Sequence, residues 1–150
     1  MILIKNNIKK IKINESLIKK NVAKILDLLG YKNFDIGILF TTNKTIKKFN
    51  QKYRQKNNPT DILSFPYHEN LKPGQKIKIS TIDDQNLGDI IISLEYAKIK
   101  SENLNISLQN HLKNLIVHGI AHLLGYDHQT EKDYKLMHAF EKKLLRKISY

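Results

Sequence analysis

The chain has 150 residues, enough for one ordinary domain that buries its own core without disulfide or oligomeric support. It contains no cysteine, which excludes a disulfide framework and removes thiolate from the possible metal ligands, so a transition-metal site must draw on His, Asp or Glu. Its formal charge is +12, but every basic residue except Arg54 and Arg146 is lysine in a chain also crowded with Ile and Asn, the bias of an AT-rich genome, so net charge alone does not argue for a nucleic-acid partner.

From Ile2 to Ile13 the chain is β-prone and partly alternating, and its lysines interrupt the apolar residues too often for the apolar core of a signal peptide. No apolar run elsewhere approaches the roughly 18–20 residues of a membrane span, so a cytoplasmic protein without membrane contact is expected. Glu15 to Leu29 places Ile18, Val22, Ile25 and Leu29 at helical spacing with Gly30 as a stop, and Lys19, Lys20 and Lys24 fall off that stripe as a solvated face. Phe34 to Phe40 reads as a buried strand. Asn43 could cap a helix running to about Arg54, which Asn57-Asn58-Pro59 breaks. A second strand begins at Asp61 and ends at Pro66, and a polar excursion from about Tyr67 to Asn86, with a turn at Lys72-Pro73-Gly74, reads as a surface loop or irregular hairpin. Leu87 to Leu94 is a good buried strand, and Ser93 to about Asn103 looks helical.

From Ser107 to Leu124 the apolar residues again recur at helical spacing, and Gly125 suits the left-handed residue that closes a helix. Thr130 to about Lys147 forms the last helix. No repeat, linker or charged tail divides the chain. The expectation is a single α+β domain over residues 1–150, with a small mixed sheet of about four strands flanked by helices.

The chemistry concentrates in His118-Gly119-Ile120-Ala121-His122-Leu123-Leu124-Gly125-Tyr126-Asp127-His128. Residues four apart share a helix face, so His118 and His122 can present two imidazoles to one ion. Gly125 ends the helix, and a turn through Tyr126 and Asp127 can return His128 as a third ligand. The metal site thus sits on a helix of the C-terminal half and the turn after it. Three protein ligands with a fourth position open to water is the pattern of a catalytic zinc, whose bound water is acidified toward neutrality. Ordinary histidines on a partly buried face are the alternative, but three at this spacing beside a helix-ending glycine favour metal.

The metzincin protease pattern H-E-x-x-H-x-x-G-x-x-H shares these His and Gly positions, but its general-base Glu falls where this chain has Gly119. Asp127 could act as a base or could orient a ligand imidazole. His111, two turns before His118, could line the cleft or be a buried structural residue, and His68 and His138 have no comparable partners. Arg54 stands out among lysines. A guanidinium fork can hold two phosphate oxygens and stabilise developing charge, while a surface ion pair or a capping role is the alternative.

These motifs resemble the YbeY family of bacterial rRNA maturation factors, single-strand-specific metallo-endoribonucleases. The histidine segment matches the signature H-G-x-L-H-L-x-G-Y-D-H except at Ala121. Asn50-x-x-x-Arg54, the run Pro59 to Pro66 (against P-T-D-V-L-S-F-P), Leu87-Gly88-Asp89-Ile90 and Met137-x-x-x-Glu141 extend the likeness over most of the chain from about Asn50. The resemblance implies zinc on His118, His122 and His128, with Arg54 needed for activity. It further implies processing of the 16S rRNA 3′ end and 70S ribosome quality control, with single-stranded rRNA, the small ribosomal subunit, a ribosomal protein and an rRNA-linked GTPase as partners.

The charge distribution fits such a substrate. Residues 1–56 carry 14 basic residues against Glu15, Asp27 and Asp35, a net of +11, whereas residues 57–150 carry 12 basic against 11 acidic, a net of +1. That asymmetry attracts polyanions. The expected mechanism lays RNA across a basic cleft formed by this Lys-rich third, with Arg54 holding the scissile phosphate near one zinc. The rival readings are a non-catalytic ribosome-assembly factor stapled by zinc and a zinc peptidase or amidase.

Overall fold

The structure, a computed structural model, describes residues 1–148; Ser149 and Tyr150 of the expected 1–150 domain lie outside the described residues. Four strands, β1 (Ile2–Asn6), β2 (Asp35–Thr41), β3 (Ile62–Pro66) and β4 (Asn86–Ser93), form one mixed sheet in the order β1-β2-β4-β3. β1, β2 and β4 run parallel, and β3 joins the edge antiparallel to β4. Five α-helices flank the sheet: α1 (Glu15–Leu28), α2 (Asn43–Arg54), α3 (Leu94–Asn103), α4 (Leu108–Leu123) and α5 (Glu131–Leu145). The α+β class and the mixed sheet are those expected from the sequence. No helix of the described residues is long and apolar enough to cross a membrane.

Strand alternation divides the side chains between two faces. Ile36, Ile38, Phe40, Ile90 and Ile92 join the main core with Ile18, Val22 and Ile25 of α1 and Leu112, Ile116 and Ile120 of α4. Burying each such side chain contributes roughly 1.5–3 kcal/mol. On the other face, Leu63 and Ile91 meet Ile46 of α2 in a smaller cluster, with Leu39, Phe49 and Phe65 packed at its margin. α2 covers only part of this second face, and the uncovered part becomes important below.

Two local expectations are corrected. The β-prone run over Ile2–Ile13 is a strand only to Asn6, whose side-chain oxygen accepts the Ile8 N–H at 2.9 Å and turns the chain. Ile11 and Ile13 pack against the core from irregular backbone instead. The cap of α2 is Thr42, which accepts the Thr45 N–H at 3.2 Å. Asn43 is the first helical residue, and its side-chain oxygen accepts the Ser93 hydroxyl at 2.7 Å.

The polar excursion spans the antiparallel β3 and β4 and holds one turn of 3-10 helix at Ile82–Asp84. It is anchored where it leaves β3. Gly88 has φ +118°, and a Cβ there would overlap the Phe65 carbonyl, so only glycine lets the two strands close at the Pro66–Gly88 pair.

Candidate metal centre

Ser107 caps α4 by accepting the Asn110 N–H at 3.1 Å, and the helix lies on the main-core face of the sheet. Gly119 faces inward, where a Cβ would crowd Ile90 and Ile62. The position that holds the general base in a metzincin protease is therefore pressed against the sheet. One residue before Gly119 and three after it, His118 and His122 are partly exposed and line the groove along the β3 edge. At Gly125 the backbone takes φ +92°, and a Cβ would overlap the Leu71 carbonyl. That glycine brings the excursion against the end of α4 and lets the chain turn back to His128.

His118, His122 and His128 present nitrogens that all lie within 4.8 Å of one another. Their partners fix which nitrogens point inward. His122 Nδ1 lies 2.9 Å from the Tyr126 carbonyl, and His118 Nδ1 lies 3.2 Å from Glu141 Oε1 on α5. A carbonyl and a carboxylate ion can only accept, so each Nδ1 carries the proton. The two Nε2 atoms then face each other at 3.1 Å with their lone pairs. Burial, followed by the neighbouring His118 and His128 rings, pushes the His122 imidazole below the usual histidine range, against the opposing influence of the Tyr126 carbonyl and Asp127.

Facing lone pairs repel unless a cation lies between them, and two imidazole nitrogens on one tetrahedral zinc stand roughly 3.3 Å apart. The donor set fits such an ion: three neutral-type nitrogen ligands, two held from behind by hydrogen-bond acceptors.

The histidines open into a groove of about 730 Å³ that runs along edge strand β3. Tyr53 and Arg54, from the end of α2, form the opposite wall. Arg54 is exposed and makes no ion pair or hydrogen bond among the described residues, which leaves its guanidinium open to the groove, and it stands with Lys52 in the last turn of α2, where a cation complements the helix dipole. Asp127 Oδ1 accepts the backbone N–H of His128 at 2.8 Å, which shapes the turn carrying that ring.

The expected lysine-lined cleft is not what the groove shows. From the first 56 residues only Tyr53 and Arg54 line it, opposite Asp61, Glu69 and Asp127. The lysines of α2 point to solvent beside it, and those of α1 lie on the helix that packs the other face of the sheet.

The remaining histidines stay apart. His111 is buried on α4, its Nε2 has no hydrogen-bond partner among the described residues, and burial pushes its pKa down, which is the structural alternative. His68 Nε2 meets the Asp84 carbonyl at 2.9 Å, and His138 stacks on Tyr134. Sequence reasoning gave no role to Glu141 or Asp61. Glu141 had a signal: it follows buried Met137 by four residues and so shares the inward face of α5.

The model of one protein family, described as endoribonuclease YbeY, matches residues 3–149. Among relatives bearing that name, one from Sulfurihydrogenibium sp. (strain YO3AOP1) is 40% identical over 149 residues, covering 99% of this chain and 92% of its own length. One from Homo sapiens is 36% identical over 147 residues, covering 98% and 87%. The solution structure of TM1509 from Thermotoga maritima shares the fold with a TM-score of 0.59 at 20% identity, over 97% of this chain and 90% of that one.

Proposed function

The chain belongs to the endoribonuclease YbeY family, and from that premise we propose that it is a zinc-dependent endoribonuclease that cleaves single-stranded RNA. The observation that carries this reading is the convergence of His118, His122 and His128 in a groove whose opposite wall is the unpaired Arg54. Zinc, when bound by these three imidazoles, supplies Lewis acidity to the phosphate and to the attacking oxygen. Arg54 grips the scissile phosphate and stabilises the charge that grows on it. Glu141 and the Tyr126 carbonyl hold the His118 and His122 rings in the tautomer that turns Nε2 toward the groove.

The substrate in this reading is the 3′ end of 16S rRNA, and the protein takes part in 70S quality control beside a small-subunit ribosomal protein and an rRNA-linked GTPase. Depletion should leave 3′-extended small-subunit rRNA, read by mapping the ends.

The direct experiment compares wild type, His122→Ala and Arg54→Ala for bound metal by elemental analysis and for cleavage of single-stranded and duplex RNA. About one zinc per chain is expected in wild type and Arg54→Ala, and little in His122→Ala. Single-strand cleavage should vanish in His122→Ala and fall on the order of a hundredfold in Arg54→Ala. Stoichiometric zinc in His122→Ala would refute the ligand set. Zinc without cleavage in wild type would favour an assembly factor, and metal-dependent casein cleavage a peptidase.

A further inference from the structure

Beside the metal groove, on the sheet face that α2 leaves uncovered, lies a second trough of about 430 Å³. Tyr53 and Phe65 line both, so the two adjoin at the β3 edge, separated by those two side chains. Its floor follows from strand register. Leu3, Gly37, Asp89 and Phe65 stand side by side across β1, β2, β4 and β3, and Lys5, Leu39 and Ile91 form the next row. Gly37 makes the depression: a Cβ there would overlap the Asp89 carboxylate, which instead leans over the glycine. That carboxylate is exposed and makes no hydrogen bond or ion pair among the described residues.

The walls are aromatic. Tyr53 is half exposed, meets Phe65 edge-on at 5.1 Å, lies parallel to Phe49 at 6.2 Å and carries the Lys52 ammonium over its ring at 5.2 Å. An apolar trough with an aromatic side, one free acceptor and cations at its margin has the requirements of a nucleobase: a flat surface to stack on, an edge to hydrogen-bond and charge for the backbone. The cations are Lys5, Lys52 and Arg54, and they complement a polyanion that already passes Arg54 in the metal groove.

We propose that this trough is a base-binding subsite for the same RNA strand and that Asp89 makes it select guanine. The proposal rests on the endoribonuclease reading for its ligand. A carboxylate only accepts, and guanine offers it two adjacent donors, N1–H and the N2 amino group. Uracil presents one donor between two carbonyls, whose lone pairs face the carboxylate. Adenine and cytosine each set an amino group beside a ring acceptor. The strand therefore runs from the zinc ligands past Arg54 and over the β3 edge, with one base turned down onto Asp89 at a fixed distance from the cut.

The test uses single-stranded oligouridines carrying one guanosine, one inosine or no substitution, walked along the sequence, with wild type, Asp89→Asn and Tyr53→Ala. Binding is read by fluorescence anisotropy and cleavage by gel. Wild type should favour guanosine at one offset from the cut by about tenfold over uridine, with inosine, which lacks the amino group, between them. Asp89→Asn should lose that preference with bound metal unchanged, and Tyr53→Ala should weaken binding whatever the base. Equal handling of all three oligonucleotides by wild type, or a guanosine preference that survives in Asp89→Asn, overturns the subsite. RNA binding indifferent to Asp89, together with an Asp89-dependent complex with a protein, also overturns it in favour of a protein-docking face. Failure of wild type to cleave any RNA while still binding guanosine through Asp89 would sink the catalytic reading and leave the subsite standing.

Discussion

At His118 the ring nitrogen that turns away from the groove faces Glu141, 23 residues further along the chain, across 3.2 Å. A ligand imidazole backed by a carboxylate binds metal more firmly because its tautomer and orientation are set in advance, an effect of about 10–100-fold in affinity. Glu141→Ala should weaken metal binding by that order in chelator competition while saturation at excess metal still reaches the wild-type stoichiometry; unchanged affinity would remove Glu141 from the site. The three histidines were legible in the sequence because a four-residue helical step and one glycine turn bring them together locally. For Glu141 the spacing from Met137 marked only the inward face of α5; its place behind His118 comes from the packing of α5 on α4.

His111 and, in metal-free protein, His122 give the pH dependence the same sign, and His111 is the one outside the metal centre. Burial pushes its folded-state pKa below the ordinary value of 6.5, so the unfolded chain takes up its proton first. Stability should therefore fall as pH drops through about 6.5 and level off only below the folded pKa. Metal-free protein should lose thermal stability between pH 7.5 and 5, and His111→Asn should flatten that slope. A variant with an unchanged slope would move the dependence to other groups.

Element order could be read along the chain from periodicity and punctuation, but the sheet order could not. Nothing between Asp61 and Leu94 says that β4 inserts between β2 and β3, because that pairing is set by which apolar rows close against α1 and α4. The β1 region shows the same limit, since Ile11 and Ile13 have strand-like spacing yet reach the core after Asn6 has already turned the chain. Gly125 was legible as a helix stop; its second task, admitting the Leu71 carbonyl, was not. Gly125→Ala imposes a left-handed backbone on a residue with a Cβ and forces the 67–85 segment away. It should cost about 1–3 kcal/mol in urea unfolding and loosen zinc, because His128 follows that turn. If stability fell while zinc affinity held, the turn would not be what positions His128.

For the whole molecule, the charge asymmetry seen in the sequence is spread over strands, loops and two helices on opposite faces of one sheet, with Lys44, Lys47, Lys48, Lys52 and Arg54 on α2 and Lys19, Lys20 and Lys24 beside Glu15 and Asp27 on α1. Lys48 and Lys52 lie one turn apart on exposed positions of α2, and Lys52 sits over the Tyr53 ring that lines both the groove and the trough. Lys20 and Lys24 have the same spacing on α1, which packs against the other face. Both pairs contribute equally to net charge, but only the first borders the proposed RNA path. Counterion release makes binding to single strands fall with salt by about 0.7 logarithmic units per neutralised phosphate. Lys48→Gln with Lys52→Gln should therefore lower the salt slope of RNA binding by about 1.4, whereas Lys20→Gln with Lys24→Gln should leave it nearly unchanged. Equal losses from the two pairs would mean that RNA is held by diffuse charge, and the path past Arg54 and Tyr53 would then lose its electrostatic support.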